Sequence, residues 1–335
     1  MPVRMKDIAR DLGVSVVTVS KVLRNHADIS TETRERVLKR MKELNYRPNL
    51  AARALVTGRS FIIGLVVPDL LHPFFAEVAK GLSRSLRKKG YGLIISSSEE
   101  DPELEQQEID QMLARRVDAM LVASAQWTVE SFRHIEEQKM PYVLIDRKFA
   151  GLAANFVGVD DEAVGTLATE HLIKTGCRVI AHIGGQDVST AVERRQGYRH
   201  ALARHSLVVG PEYVIGREHG DEASDVSGYE VMRKLLRLDP RPDGVFCYND
   251  PTAMGAMKAI LEAGLRIPQD VAVVGAGNVR YAEFLRVPLT TVDQQCEAIG
   301  DRAARLALAL VEAKGPTRPK TILLEPRLVV RDSTR

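Results

Sequence analysis

The chain has 335 residues, 45% hydrophobic and 27% charged, with a formal net charge of +3. This is the balance of a soluble globular protein with room for two or three domains, and it excludes a disordered or fibrous chain. No apolar run nears the roughly 20 residues of a membrane-spanning helix, and the three cysteines, Cys177, Cys247 and Cys296, are too scattered for a disulfide frame or a zinc site.

The opening stretch, MPVRMKDIARDLGV, lacks an apolar signal core, so a cytoplasmic protein is expected. Residues 1–60 hold 13 Lys/Arg and 6 Asp/Glu, a net of +7, whereas the remainder holds 34 and 38, a net of −4. A basic head on a mildly acidic body suits a polyanion partner, although a solvated helical surface would look the same by charge alone. The stretch MKDIARDLGVSVVTVSKVLRN decides between them. Ile8, Ala9 and Leu12 share a helical face, Gly13 stops that helix, and Ser15 is placed to cap a second one. Val19, Val22 and Leu23 repeat at helical spacing and turn back on the first helix, which is helix-turn-helix patterning. Ser15, Val16, Val17, Thr18, Ser20, Lys21 and Asn25 are thereby predicted to face double-stranded DNA. A third helix, STETRERVLKRMKELNY, takes Ser30 as its N-cap and Val37, Met41 and Leu44 as its inner stripe. Pro48 ends it, and LAARAL follows as a helix-prone piece too short to be stable alone.

From Phe61 onward strands and helices alternate: FIIGLVV, FFAEVAKGLSRSLRKKG, YGLIISS, PELEQQEIDQMLARR, AMLVAS and YVLID, then a second series from about residue 162. That is the pattern of doubly wound parallel sheets. Ligands of such sheets bind beyond the carboxyl ends of the strands. The residues there are His72, Phe74, Phe75, Asp146, Arg147, Arg194, Asn249, Gly277 and Gln294. A carboxylate, guanidinium groups, amides and aromatic faces together suit a polyhydroxylated ring. Phe74 and Phe75 read equally as core residues at a helix start, and Arg147 as a surface ion-pair partner. Arg194 and Asn249 are expected to serve the ligand and not the fold core.

The stretch DVAVVGAGNVRYAEF imitates a dinucleotide fingerprint, a strand running into Gly275-Ala276-Gly277. The third glycine would fall at Arg280, and Pro288 leaves too little room for a phosphate-capping helix. No cofactor, metal or catalytic constellation is expected.

IARDLGVSVVTVSKVL, LNYRPNLAARAL, HPFFAEV, NDPTAMGAMKAILEAGLRIPQDVAVVG and PLTTVDQ, in that order, make the chain resemble the LacI/GalR family of transcriptional regulators. Lys21 stands where that family usually has arginine. The resemblance implies an all-α helix-turn-helix head (residues 1–46) and a hinge (47–60). It also implies an α/β body of two lobes of periplasmic-binding-protein type, 61–161 with 292–320, and 162–291 with 321–331. It makes the hinge a helix that orders on DNA, with Leu55 as a minor-groove wedge, Ala52 at the dimer approach and Arg53 near phosphate. The ligand set resembles that of the periplasmic ribose-binding protein. The family's usual aspartate is replaced by Gly277. The cleft's charged members, Asp146, Arg147 and Arg194, then sum to +1, which suits a larger ligand or an anionic one such as a sugar acid or phosphate. The expected function is a DNA-binding repressor, homodimeric on a pseudo-palindromic operator and controlled by a sugar or sugar acid. A transport-type sugar-binding protein is the alternative.

Overall fold

The computed structural model describes residues 3–23, 26–47, 54, 57–126, 128–217 and 224–335. They form two units, Met1–Ser60 and Phe61–Arg335.

In the first unit, α1 is Met5–Leu12, α2 Val16–Leu23 and α3 Thr31–Glu43. Gly13 adopts φ 67°, which lets the Val14 N–H return to the Ala9 carbonyl at 3.0 Å and closes α1. Ser15 Oγ accepts from Thr18 N at 3.0 Å and Ser30 Oγ from Thr33 N at 3.3 Å, so both predicted caps are made. Ile8, Val19 and Val37 leave water completely, one from each helix, each contributing roughly 1.5–3 kcal/mol. Arg36 donates to the Leu12 carbonyl at 3.2 Å and Arg40 to Asp11 at 2.6 Å, which fastens α3 to the end of α1.

The second unit contains two six-stranded sheets. The first comprises β1 (Ile62–Val67), β2 (Gly92–Ser97), β3 (Ala119–Val122), β4 (Tyr142–Ile145), β5 (Asn155–Val159) and β11 (Thr321–Leu324), in the order β11-β5-β4-β3-β1-β2. The second comprises β6 (Ile180–Ile183), β7 (Val214–Ile215), β8 (Gly244–Cys247), β9 (Ala272–Ala276), β10 (Thr290–Asp293) and β12 (Arg327–Val329), in the order β12-β10-β9-β8-β6-β7. Every pairing is parallel except that of β10 with β12. Buried apolar clusters lie on both faces of each sheet, so each lobe is doubly wound. On the first lobe the helices Pro73–Arg87 and Cys296–Glu312 cross in close contact. A Cβ at Gly81 would come within 2.3 Å of the Glu297 carbonyl oxygen, and only glycine permits that approach.

The chain crosses between lobes three times, around Asp160, Gln294 and Glu325. The tail differs from expectation. Thr321–Leu324 belongs to the first lobe, pairing in parallel with Phe156–Val159, and only Arg327–Val329 joins the second. Thr290–Asp293 likewise stays in the second lobe, beside β9, so β9 is not that lobe's last parallel strand. Open ladder edges on β5 and β10 capture these short segments, and their own residues do not announce which edge.

Candidate functional site: head surface and interlobe cavity

The head leaves large apolar side chains exposed at two places, Leu38 on α3 and a pair on α2. Val16 and Val17, at the start of α2, remain 43% and 61% exposed while Val19 and Val22 are buried. Ser15 and Thr18 share a hydroxyl contact of 2.9 Å at the same helix end. Lys21 Nζ donates to Asp28, which holds the Asp28 carboxyl below its usual range. Asn25, Ala52, Arg53 and Leu55 lie outside the described residues.

In the body, a cavity of about 860 Å³ opens between the two lobes. Its wall comes from the carboxyl ends of strands, as the parallel topology requires. His72, Phe74 and Phe75 follow β1, Glu100 follows β2, Asp146 and Arg147 follow β4, Arg217 follows β7, Tyr248 and Asn249 follow β8, and Gln294 follows β10. Arg194 does not follow a strand end but reaches in from the second turn of the helix Ser189–Arg204. Phe74 and Phe75 satisfy both readings offered for them: they line the cavity and belong to the first lobe's core.

Gly277 does not line the cavity. The loop after β9 turns there at φ 136°, and the buried carboxylate of Asp250 lies alongside, 3.3 Å from where a Cβ would sit. The +1 count is corrected as well. Arg147 donates to both Glu100 oxygens, at 2.7 and 2.8 Å, and to the Ser124 carbonyl at 3.0 Å. Arg194 donates to Asp161 Oδ1 at 2.7 Å, to the Tyr248 carbonyl at 2.7 Å and to Gln294 Oε1 at 2.8 Å, with its guanidinium over the Tyr248 ring. Both arginines are therefore neutralised inside the protein. Burial raises the Asp161 carboxyl above its usual range, and the paired Arg194 guanidinium opposes that rise. Burial also opposes the Glu100 charge, but the Arg147 fork outweighs it and holds Glu100 below its usual range. Asp146, at φ 62°, is pushed up by burial against Arg194 and Arg147.

Asn249 Oδ1 accepts from Thr252 N and Oγ1, at 2.8 and 2.7 Å, and so caps the helix Asp250–Glu262. That fixes its Nδ2 as a donor toward His72 Nε2 at 3.0 Å, a bond from one lobe to the other. Burial, then Arg147, lowers the His72 pKa to about 4, so the ring is neutral and carries its proton on Nδ1. Contrary to expectation, then, Arg194 and Asn249 are tied into the fold as firmly as into the cavity.

Sequence reasoning missed Glu100, Arg217, Tyr248 and Asp161. Tyr248 directly follows a strand end and Glu100 lies three residues past one, so both were open to the same rule. Arg217 follows a two-residue strand that leaves no periodic signal. Among the described residues no three His, Cys, Asp or Glu are grouped to hold a metal, and no helix is long and apolar enough to cross a membrane.

Comparison with known proteins is consistent from end to end. Residues 4–49 match the model of the bacterial regulatory proteins of the lacI family, and residues 169–334 match a periplasmic binding protein-like domain. The HTH-type transcriptional repressor PurR of Histophilus somni (strain 129Pt) is 33% identical over 333 residues, 99% of this chain and 98% of that protein. A complex of the transcriptional regulator CelR with cellobiose superposes at a TM-score of 0.75, with 32% identity and 99% of each chain covered. The lac repressor dimer bound to operator and the anti-inducer ONPF gives 0.84 at 27% identity, covering 100% of this chain and 99% of that one. With a helix-turn-helix head and a two-lobed effector-binding body matched over its whole length, the chain belongs to the lacI family of bacterial regulatory proteins and is a DNA-binding transcriptional repressor rather than an enzyme.

Proposed function

We propose that a carbohydrate-type effector, a sugar or sugar acid, binds between the lobes and sets the operator affinity of a homodimer. The cavity carries this reading. Its 860 Å³ lies toward the upper end of the usual small-ligand range, which suits more than a single bare hexose ring. The aromatic side chains of Phe74 and Phe75 and the polar groups of Asp146, Asn249 and Gln294 offer C–H contacts and hydroxyl partners together. The cellobiose bound to CelR supports the same ligand class.

In the head, Ser15, Val16, Val17, Thr18, Ser20 and Lys21 form the DNA-reading surface, with Asn25 beyond them. Exposed valine side chains at a recognition-helix start suit thymine methyl groups in the major groove. Residues 47–60 act as the hinge, with Ala52, Arg53 and Leu55 in the roles already given. Two heads on a dimer read a pseudo-palindrome with half-sites about one helical turn apart, and the lac repressor dimer on its operator supports that assembly. The cytoplasm, where bacterial DNA lies, is the compartment this function requires.

Footprinting on the chain's own upstream region, with and without a panel of mono- and disaccharides, tests the proposal. Protection of paired half-sites that one sugar strengthens or abolishes is the expected result. Protection indifferent to every sugar and sugar acid would remove the carbohydrate reading.

A further inference from the structure

Counted by what each is bonded to, the inner charges of the cavity leave two unspent, while the rim carboxylates Asp69, Glu99, Asp101 and Glu103 make no ion pair among the described residues. Arg147 is committed to Glu100 and Arg194 to Asp161. The Asp146 carboxylate lines the cavity and makes no hydrogen bond or ion pair among the described residues, and Arg217 makes no ion pair there. Among the described residues the Arg217 guanidinium donates only to Ser224 Oγ, at 3.0 Å, and its buried Nε has no acceptor. Two more donors nearby share that condition, Arg147 Nε and His72 Nδ1. Arg217, Glu100 and His72 all line the cavity, and the Arg217 charge acts on both of the others.

A buried donor without an acceptor carries a desolvation cost until an acceptor arrives. A neutral hydroxyl answers this corner poorly, since it brings its own donor hydrogen. A carboxylate or phosphate answers it well, having several lone-pair sites and a charge opposite to that of Arg217. We propose that Arg217 selects the charge of the effector: the ligand is a hydroxylated acid whose carboxylate or phosphate oxygens meet Arg217, while Asp146 accepts its hydroxyl protons. This rests on the carbohydrate reading above and narrows it. The acidic lip does not oppose it strongly. Glu99, Asp101 and Glu103 are exposed, where salt screens them beyond about 8 Å; the Asp101 carboxylate already caps the helix Pro102–Ala114, and half-buried Asp69 already accepts from the Leu71 N–H at 2.7 Å.

Titration calorimetry on the full chain compares D-glucose and cellobiose with D-gluconate, D-glucuronate and glucose 6-phosphate. At least one acid is expected to bind about tenfold or more tighter than its neutral parent. Arg217→Met should erase that preference and Arg217→Lys should keep part of it, since lysine retains the charge without the fork. Both variants should keep wild-type melting temperature and ligand-free operator affinity. The carboxylate and phosphate arms tell the two acid types apart. Neutral sugars binding as tightly as the acids would overturn the inference and leave the carbohydrate reading standing. So would Arg217→Met weakening neutral and acidic ligands equally, which would make Arg217 a cleft-closing residue. A panel in which no member binds overturns both.

Discussion

Arg194 Nε donates to Asp161 Oδ1 at 2.7 Å across 33 residues of sequence, and both side chains are almost wholly out of water. Asp161 opens the helix that follows the first crossover, and the same guanidinium reaches Gln294 at the second. One side chain therefore joins two of the three strands of chain that connect the lobes. Removing it leaves a buried carboxylate with no counter-charge. Arg194→Ala is expected to cost about 3 kcal/mol of stability. Arg194→Ala combined with Asp161→Asn should be less destabilised than the sum of the two single changes, because the second change removes the orphaned charge. A double-mutant cycle by urea denaturation checks this, and simple additivity would count against it.

His72 gives the body a pH dependence with a definite sign. Its pKa falls from 6.5 unfolded to about 4 folded, through burial first and then Arg147, with Glu100 pulling the other way and Arg194 and Arg217 adding to the fall. A depressed histidine contributes stability that is fully present above pH 6.5 and is lost as pH falls toward 4, at about 1.4 kcal/mol per pH unit. His182, buried between Tyr198 and Phe246, behaves alike, with burial lowering it to about 4. His72→Gln should retain an acceptor for Asn249 and remove one of the two contributions. The stability difference between wild type and this variant is expected to shrink steadily from pH 6.5 to 4 in urea titrations. A difference that does not change with pH would show that His72 is not the titrating group.

Much of this molecule is legible in its residues because local and global preferences agree. The Gly13 stop, the Ser15 and Ser30 caps and the inner stripes of α1 to α3 are short-range signals, and all are realised. Buried parallel strands such as Ile62–Val67 announce themselves as unbroken apolar runs. What stays hidden depends on pairing across long separations. Thr321–Leu324 could extend either sheet by its own composition, and only the open edge of Asn155–Val159 settles it. The cavity's electrostatics were hidden for the same reason. Arg147 and Arg194 look like spare cations until Glu100, 47 residues away, and Asp161 are seen to hold them.

Gly277 shows how a missing side chain can mislead. The family resemblance implies an aspartate at this position and so suggests that Gly277→Asp would restore a ligand contact. The backbone there has φ 136°, which L-residues rarely adopt, and the new side chain would begin 3.3 Å from Asp250 Oδ2. Burial already pushes the Asp250 carboxyl up to about 6, so a second acid beside it is opposed by like charge as well as by strain. Gly277→Asp is expected to lose roughly 1–3 kcal/mol of stability without changing which sugars or sugar acids bind. Denaturation together with calorimetry on the ligand panel checks both halves.

In the head, Lys21 is held by Asp28, in the loop between α2 and α3, and both are substantially exposed. Lys21 has to leave that partner to reach a phosphate or a guanine edge, so the pair competes with DNA. Exposed pairs of this kind are weak, which limits the effect. Asp28→Asn is expected to raise operator affinity about two- to fivefold, by releasing Lys21 and by removing a negative charge from a head that must approach a polyanion. The two causes separate in a Lys21→Ala background. There the release effect vanishes, and only the smaller, salt-sensitive effect of the removed charge remains. Lys21→Ala by itself should reduce the slope of log affinity against log salt by about 0.9 per head if its contact is to phosphate. If the contact is to guanine, it should instead weaken one base preference at that position in each half-site. Anisotropy titrations at several salt concentrations, on the operator and on half-site variants, read all of these. An Asp28→Asn gain of the same size with and without Lys21 would show that Lys21 takes no part in binding DNA.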